Sequence, residues 1–158
     1  MKKKKITIEY LETTYKNLDN NTLKSLIDTT IEFSKNAYAP YSKFKVSAGL
    51  RLSNGKIIKG SNMENASYPV CICAERNLLS HTVTNYPQEI IQEMVVYVDK
   101  DLGKPVPPCG LCRQTLVEVE SRQKSAIQLH LVAKNGEIIS FSSCTDLLPL
   151  TFNGSFLD

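Results

Sequence analysis

Three cysteines and one glutamate in this sequence have the types and spacing of a zinc site that could perform hydrolytic chemistry. Cys109 and Cys112 form a Cys-x-x-Cys pair, and Cys73 stands two residues before Glu75. Residues three apart share one face of a helix, so Cys109 and Cys112 can bind one ion together. Three thiolates leave one position of a tetrahedral zinc free of protein, which is typical of a catalytic site.

Glu75 separates this interpretation from a purely structural zinc site. A carboxylate beside an activated water is what general acid–base chemistry requires. A structural site would instead complete its coordination with a fourth ligand, for which Cys71, Cys144 or a histidine is available. Packing alone gives no reason for this glutamate so close to a ligand cysteine. The pattern therefore favours a catalytic zinc.

The elements that must position these residues alternate between helical and strand periodicity. A first helix is predicted behind Asn21 and Thr22, either of which could cap its start, and two further helices begin at Cys73 and Cys109. Period-two alternation starts at Phe44, and later apolar runs predict strands at residues 44–52, 56–60, 94–98, 127–133 and 138–141. The order α-β-β-α-β-α-β-β predicts an α/β fold in which a mixed five-stranded sheet lies between helices. Both cysteine-bearing helices begin at their ligands, where the helix dipole favours a thiolate.

Composition restricts the classes of function. The chain of 158 residues carries 19 Lys+Arg against 16 Asp+Glu, and much of the excess lies in residues 2–5, so no basic stripe predicts a nucleic-acid partner. No apolar run is long enough to span a membrane, and the basic start lacks the apolar segment of a secretory signal. Five cysteines without a secretory context indicate reduced thiols in the cytoplasm. We expect an N-terminal extension at residues 1–20, either an edge strand or a loose arm, and one domain at residues 21–158.

Two motifs together resemble the zinc motifs of cytidine deaminases. These are Cys73-Ala74-Glu75-Arg76 and Pro108-Cys109-Gly110-Leu111-Cys112-Arg113-Gln114. The resemblance extends through Ala39-Pro40-Tyr41-Ser42-Lys43-Phe44, Asn62-Met63-Glu64-Asn65-Ala66-Ser67-Tyr68 and Leu147-Leu148-Pro149. It covers about residues 22–152 with the motifs in the expected order, and is closest to the small homotetrameric type. It implies a three-layer α-β-α cytidine deaminase-like fold.

The resemblance also implies a mechanism. One Zn²⁺ per subunit, held by the three cysteines, activates a water for attack on C4 of the cytosine ring, and ammonia leaves. Glu75 is then the proton carrier between water, ring nitrogen and departing amine. Arg76 is expected to donate to the thiolate sulfurs and offset their negative charge. Asn62 and Glu64 match the pair that holds the ribose 3′-hydroxyl.

The remaining site residues are assigned by the same resemblance. Phe44 matches the aromatic residue beside the pyrimidine, and Ala74 contributes backbone groups to the base edge. Ala66 and Tyr68 match positions that reach the substrate of a neighbouring subunit, and Phe152 matches an aromatic lid over the adjacent site. A homotetramer with shared active sites is therefore expected, with a small nucleoside as substrate and neither nucleic acid nor membrane as partner.

The predicted function is zinc-dependent hydrolytic deamination of cytidine and 2′-deoxycytidine in pyrimidine salvage. One alternative is a deaminase of a modified cytosine nucleoside, of the blasticidin S type, and another is a catalytically silent zinc scaffold. The chain departs from the usual family pattern at Ser47-Ala48-Gly49, which touches no catalytic group. Arg113 is expected to pair with a carboxylate, and Cys71 and Cys144 to be buried thiols outside the site.

Overall fold

The computed structural model describes residues 1–157 and contains three helices and six strands. The helices are α1 (Asn21–Phe33), α2 (Ala74–Asn85) and α3 (Gly110–Gln123). The strands are β1 (Leu11–Thr14), β2 (Val46–Leu52), β3 (Ile57–Ser61), β4 (Ile91–Val98), β5 (Gln128–Val132) and β6 (Glu137–Phe141). From residue 21 onward their order is the predicted one.

All six strands form one mixed sheet in the order β1-β6-β5-β4-β2-β3. Only β4 and β5 run parallel, because α3 carries the chain back between them, and the other neighbours are antiparallel. The prediction of five strands was wrong by one. The additional strand β1 lies within the predicted extension, where the weak alternation of Ile6, Ile8 and Tyr10 left an edge strand and a loose arm equally open.

Of α1, α2 and α3, only α1 packs on one face of the sheet, and residues that precede this helix complete the cover. Leu23, Leu26 and Ile27 of the helix pack against alternate residues of the central strands, among them Val95 and Tyr97. Asn20 caps the helix by accepting from the amide of Leu23, so the predicted cap at Asn21 or Thr22 was wrong, and both of these residues lie in the first turn.

Gly49 allows α1 to approach this face closely. A Cβ atom at position 49 would lie 2.1 Å from the Thr30 hydroxyl oxygen, so no larger residue fits without movement. The departure from the family pattern at residues 47–49 therefore affects helix packing and not the site.

The opposite face is covered by α2 and α3, which completes the predicted three layers. Ala74, Leu78 and Leu79 of α2 and Leu116 of α3 pack on the strand residues that point away from α1. Gly60 of β3 lets the first turn of α2 lie against the sheet, since a Cβ there would meet Leu78 at 2.8 Å.

The N-terminal residues contribute to the sheet through β1. Leu11 pairs with Ser140 and Thr14 with Glu137, so β1 covers the outer edge of β6. Before it, Tyr10 contacts the ring of Phe141 at a centroid distance of 5.7 Å. Within residues 1–157, none of the helices combines the length and the apolar character that crossing a membrane would require.

Candidate metal and active site

Three thiols meet where α2 and α3 begin. Cys73 is the N-cap residue of α2 and Cys109 that of α3, and Cys112 lies in the first turn of α3. The Cys109 sulfur is 3.9 Å from that of Cys73 and 3.5 Å from that of Cys112. All three sulfurs lie within 4.8 Å of one another. The structure thus brings together the three predicted metal ligands from segments 36 residues apart.

The spacing of the sulfurs fits a zinc ion. Zinc–sulfur bonds of about 2.3 Å in a tetrahedron place the sulfurs about 3.8 Å apart, which lies between the two measured distances. Neither N-cap cysteine uses its side chain to cap its helix, so both thiols are free to ligate. Cys71 and Cys144 do not belong to this group, and Cys144 is fully buried in the core as predicted. A site closed by a fourth cysteine is therefore not what the structure shows.

Contacts among the thiols make Cys73 easier to deprotonate and Cys112 harder to deprotonate. The hydrogen bond from Cys112 lowers the pKa of Cys73 to about 6, with a smaller contribution from the nearby charge of Arg76. The pKa of Cys112 is raised by its bond to Cys73 and by burial. Helix N-termini stabilise the same negative charge.

Glu75 lies beside the thiols in the first turn of α2. Its side chain is only 4% exposed, and no basic residue forms an ion pair with it within the described part of the chain. Burial raises the pKa of its carboxyl group, opposed by its own backbone N–H and by the Cys112 thiol. A carboxyl group held with a raised pKa next to a metal site is suited to accepting and returning a proton.

A cavity of about 340 Å³ opens onto Glu75 and two of the thiols. Four of the predicted substrate-binding residues line it, namely Phe44, Asn62, Glu64 and Ala74. Its remaining wall is largely apolar and includes Val96, Val98, Val106 and Pro107. The described residues also form three larger depressions, two of about 640 Å³ and one of about 370 Å³, and none of the three metal-ligand thiols lines any of them. An apolar cleft with few convergent polar groups is the usual form of a small-molecule site.

The side chains of Asn62 and Glu64 are held at the cavity by hydrogen bonds, most of them with backbone groups. The Asn62 amide accepts from Val46 N at 2.8 Å and donates to the Phe44 carbonyl at 2.9 Å, so it fixes the strand start that carries Phe44. Glu64 accepts from Tyr41 N, from Ser42 N and from the Ser42 hydroxyl. The bond from the Ser42 hydroxyl and those from the two amides lower the pKa of Glu64, so its carboxylate is ionised at neutral pH.

The structure places the other predicted site residues apart from the cavity. Arg76 is half-buried, and among residues 1–157 its guanidinium forms no hydrogen bond to a thiol. Ala66 is exposed, and Tyr68, 70% exposed, packs edge-on against Tyr41 beside the cavity mouth. Phe152 is 58% exposed and stacks on Phe156 at 5.9 Å. None of these four residues lines the cavity that contains Glu75.

Several lining residues were not predicted from the sequence. Cys71 lines the cavity half-buried, and its sulfur accepts from Asn65 N, whereas a buried thiol was expected. Val106 and Pro107 belong to a loop rich in glycine and proline, residues 102–108, that leads into Cys109. Their closeness in sequence to this metal ligand was the signal from which their place in the cavity could have been predicted. Ser42 lies inside a motif that carried the family resemblance, but its bond to Glu64 joins residues 22 apart.

Comparison with known proteins places this geometry in a family. Residues 20–127 match the family model described as the cytidine and deoxycytidylate deaminase zinc-binding region. A cytidine deaminase of Halalkalibacterium halodurans is 42% identical over 94 residues, which cover 60% of this chain and 69% of that protein. A cytidine deaminase of Mycoplasma pneumoniae is 35% identical over 125 residues, covering 79% and 86%.

A solved structure shows the same fold. The 1.6 Å crystal structure of cytidine deaminase from Burkholderia pseudomallei superposes with a TM-score of 0.72 at 36% identity. The match covers 81% of this chain and 97% of that one. The predicted fold class is thereby confirmed, and the cysteine cluster together with the family model confirms zinc as the cofactor.

Proposed function

We infer that this chain, which belongs to the cytidine and deoxycytidylate deaminase zinc-binding family, hydrolyses cytidine and 2′-deoxycytidine to uridine and 2′-deoxyuridine with release of ammonia. The observation that carries the inference is the meeting of three thiols at tetrahedral spacing beside buried Glu75, which lines a cavity together with two of those thiols. The family relationship supplies the reaction, and this constellation supplies the groups that the reaction needs.

Cys73, Cys109 and Cys112 hold the zinc, one ion per subunit. Bound zinc supplies Lewis acidity, which lowers the pKa of water and makes a nucleophile available at neutral pH. Glu75 would take one proton from water and deliver it to N3 of the ring, and would then take the remaining proton of the hydroxyl added at C4 and give it to the departing amine, so that uridine and ammonia result. Burial suits Glu75 to both directions of transfer, because a raised pKa makes its carboxylate a better proton acceptor and brings the group closer to the pH at which it must also return the proton.

The cavity walls orient the nucleoside. Phe44 packs beside the pyrimidine, and Ala74, which has no bulk beyond Cβ, lets the start of α2 approach the base edge. Glu64 uses three of the roughly four acceptor positions of a carboxylate on backbone and Ser42 donors, which leaves one for a ribose hydroxyl. Asn62 acts with Glu64 at the sugar and also fixes Phe44.

The positions of Arg76 and of the exposed residues around the cavity mouth support two further roles, one at the metal and one in subunit assembly. Arg76 lies near enough to Cys73 to lower its pKa, so its charge offsets the excess negative charge of three thiolates around Zn²⁺. A homotetramer with shared active sites is supported by apolar and aromatic side chains exposed around the cavity mouth, which are Tyr38, Tyr41, Met63, Tyr68 and Val70. Ala66, Tyr68 and Phe152 then act on the substrate of a neighbouring subunit.

The setting of the reaction is nucleoside salvage in the cytoplasm, where reduced thiols persist. A deaminase of a modified nucleoside of the blasticidin S type is not favoured, since the relatives reported above carry the name cytidine deaminase. A silent zinc scaffold has no use for a carboxyl group buried beside the metal ligands.

The deciding experiment follows the ultraviolet absorbance of cytidine and deoxycytidine with purified wild type and Glu75→Gln. Zinc content and assembly state are measured in both proteins. We expect turnover by wild type and a loss of about 10²–10⁴-fold or more in a zinc-loaded variant. The exposed Glu118→Gln on α3 serves as the matched control and retains activity. A zinc-loaded, assembled wild type that converts neither nucleoside refutes the proposed function.

A further inference from the structure

We propose that Arg113 is a positioning residue for the zinc ligands and joins the start of α3 at Cys109 to the C-terminal segment. The inference rests on the proposed function only in taking zinc as the resident metal. Arg113 is half-buried, and its guanidinium forms no ion pair among residues 1–157, so the expected carboxylate partner is not present. Its hydrogen bonds go to two backbone carbonyls instead.

Arg113 binds the backbone on both sides of Cys109. Its side-chain Nε donates to the Pro108 carbonyl at 2.8 Å, and its own amide donates to the Cys109 carbonyl at 3.0 Å. These two carbonyls bound the residue whose sulfur ligates the metal. The amide bond is an ordinary bond of α3 that any residue at position 113 would make, whereas the guanidinium adds the bond to the Pro108 carbonyl and so holds the peptide group between Pro108 and Cys109.

The same guanidinium reaches the C-terminal segment. One terminal nitrogen of Arg113 donates to the Leu147 carbonyl at 3.0 Å. Leu147 ends a 3₁₀ turn, Cys144–Leu147, which we call the C-terminal turn. The side chain of Arg113 thus binds both the start of α3 and the C-terminal turn.

Glu120 holds the other end of the C-terminal turn on the same helix. Two turns beyond Arg113, its carboxylate accepts from the amide of Cys144 and from the hydroxyls of Ser143 and Thr145. An anion at the amide end and a cation at the carbonyl end match the dipole of the turn. The C-terminal turn is therefore anchored rigidly on α3, and it gives Arg113 a fixed point from which to hold Cys109.

This geometry predicts that lysine cannot replace Arg113. A guanidinium offers several donors in a planar fork and serves two separate carbonyls, whereas an ammonium is a point charge on a flexible stem. Loss of groups that orient metal ligands typically lowers metal affinity about 10–100-fold. We expect a change of that size in zinc retention when Arg113 is replaced.

The test compares zinc release from wild type, Arg113→Gln, Arg113→Lys and Arg122→Gln under excess chelator at neutral pH. Arg122 is an exposed arginine on the last turn of the same helix and is the matched control. Circular dichroism with added zinc establishes folding. The Co²⁺-substituted proteins report ligand geometry through their thiolate-to-cobalt absorption bands, a signal that a general loss of stability does not shift.

Arg113→Gln is expected to release zinc about 10–100-fold faster and to show altered cobalt bands, with Arg113→Lys intermediate and Arg122→Gln unchanged. A folded Arg113→Gln with wild-type release and a wild-type cobalt spectrum overturns the proposal. If Arg113→Gln does not fold, Arg113→Lys decides by the same two measurements. Neither readout requires turnover, so failure of wild type to deaminate cytidine would count against the proposed function alone.

Discussion

The buried carboxylate of Glu120 offers the sharpest test of how this structure is held together. Its side chain is 8% exposed and accepts four hydrogen bonds, from the amides of Ile127 and Cys144 and from the hydroxyls of Ser143 and Thr145. No cation forms an ion pair with it among the described residues. Its charge is stabilised by these donors alone.

Glu120→Gln keeps the shape and a bond to every partner but removes the charge. The amide oxygen still accepts from both backbone amides, and the two hydroxyls rotate to accept from the new NH₂ group. Hydrogen bonds to a charged group contribute about 1 kcal/mol more than neutral ones, and the carboxylate's larger desolvation cost offsets part of the sum. We therefore expect a loss of about 2 kcal/mol in the free energy of unfolding at neutral pH.

The loss should depend on pH. Burial raises the pKa of Glu120, but the hydrogen bonds, led by those from Ser143 and Thr145, outweigh it and leave the pKa below its ordinary value. A carboxyl group whose pKa is lower in the folded state stabilises the protein above its unfolded pKa, about 4.3. That stabilisation disappears as the pH falls through the folded pKa, so the wild type and Glu120→Gln should converge in acid.

The assay is urea unfolding of both proteins at equal concentration, from neutral pH down to about pH 3. Acid releases zinc from both proteins alike, so the difference between them isolates the carboxylate. Glu118→Gln on the exposed face of the same helix controls for removal of a surface charge. A difference that is below about 0.5 kcal/mol at neutral pH, or that does not change with pH, refutes this account of Glu120.

Three further predictions concern packing, a part-buried ion pair and the N-terminal residues. Gly49→Ala should lower the free energy of unfolding by about 1–3 kcal/mol, because the added Cβ crowds the Thr30 side chain of α1. Adding Thr30→Ala to the same chain should recover part of that loss, and thermal unfolding of the single and double variants measures the coupling between the two positions. Glu93→Gln should lower the free energy of unfolding by about 3 kcal/mol, because His130 of β5 and Arg51 of β2 lose the carboxylate that they share. Those two residues lower the pKa of Glu93, so this loss should fade in acid unfolding experiments as the pH falls through the folded pKa; a pH-independent loss contradicts the assignment. Deleting residues 1–9 should leave melting temperature and zinc content nearly unchanged, whereas deleting residues 1–18 uncovers the β6 edge and should promote concentration-dependent association in size-exclusion chromatography.

Much of the fold and of the metal site was predictable because the signals are local. Helix and strand periodicity predicted the order of elements from residue 21 onward, and Cys109 and Cys112 share one helical turn. Strand β1 was not decided because a short, polar edge strand has little periodicity of its own. Its existence depends on pairing with β6, more than 120 residues away along the chain.

The substrate side of the site was predictable in part. Asn62, Glu64, Phe44 and Ala74 were assigned through a family resemblance, and the structure places all four on one cavity wall. The bonds that hold them were not foreseen, since the amide of Asn62 and the carboxylate of Glu64 bind backbone groups 16 to 23 residues away. Periodicity carries no information about such contacts.

The sequence by itself determined the chemistry available to this protein. Thiols at helix starts, a glutamate two residues after one of them and the Cys-x-x-Cys pair are relations within a single turn, where backbone geometry alone decides which side chains share a face. Only the tertiary structure decided how that chemistry is held. The sheet brings the starts of α2 and α3 together, and Arg113 and Glu120 fasten the chain's C-terminal turn to the helix that carries two of the ligands. These contacts join residues distant in sequence, and their pairing follows from packing the whole chain around one sheet.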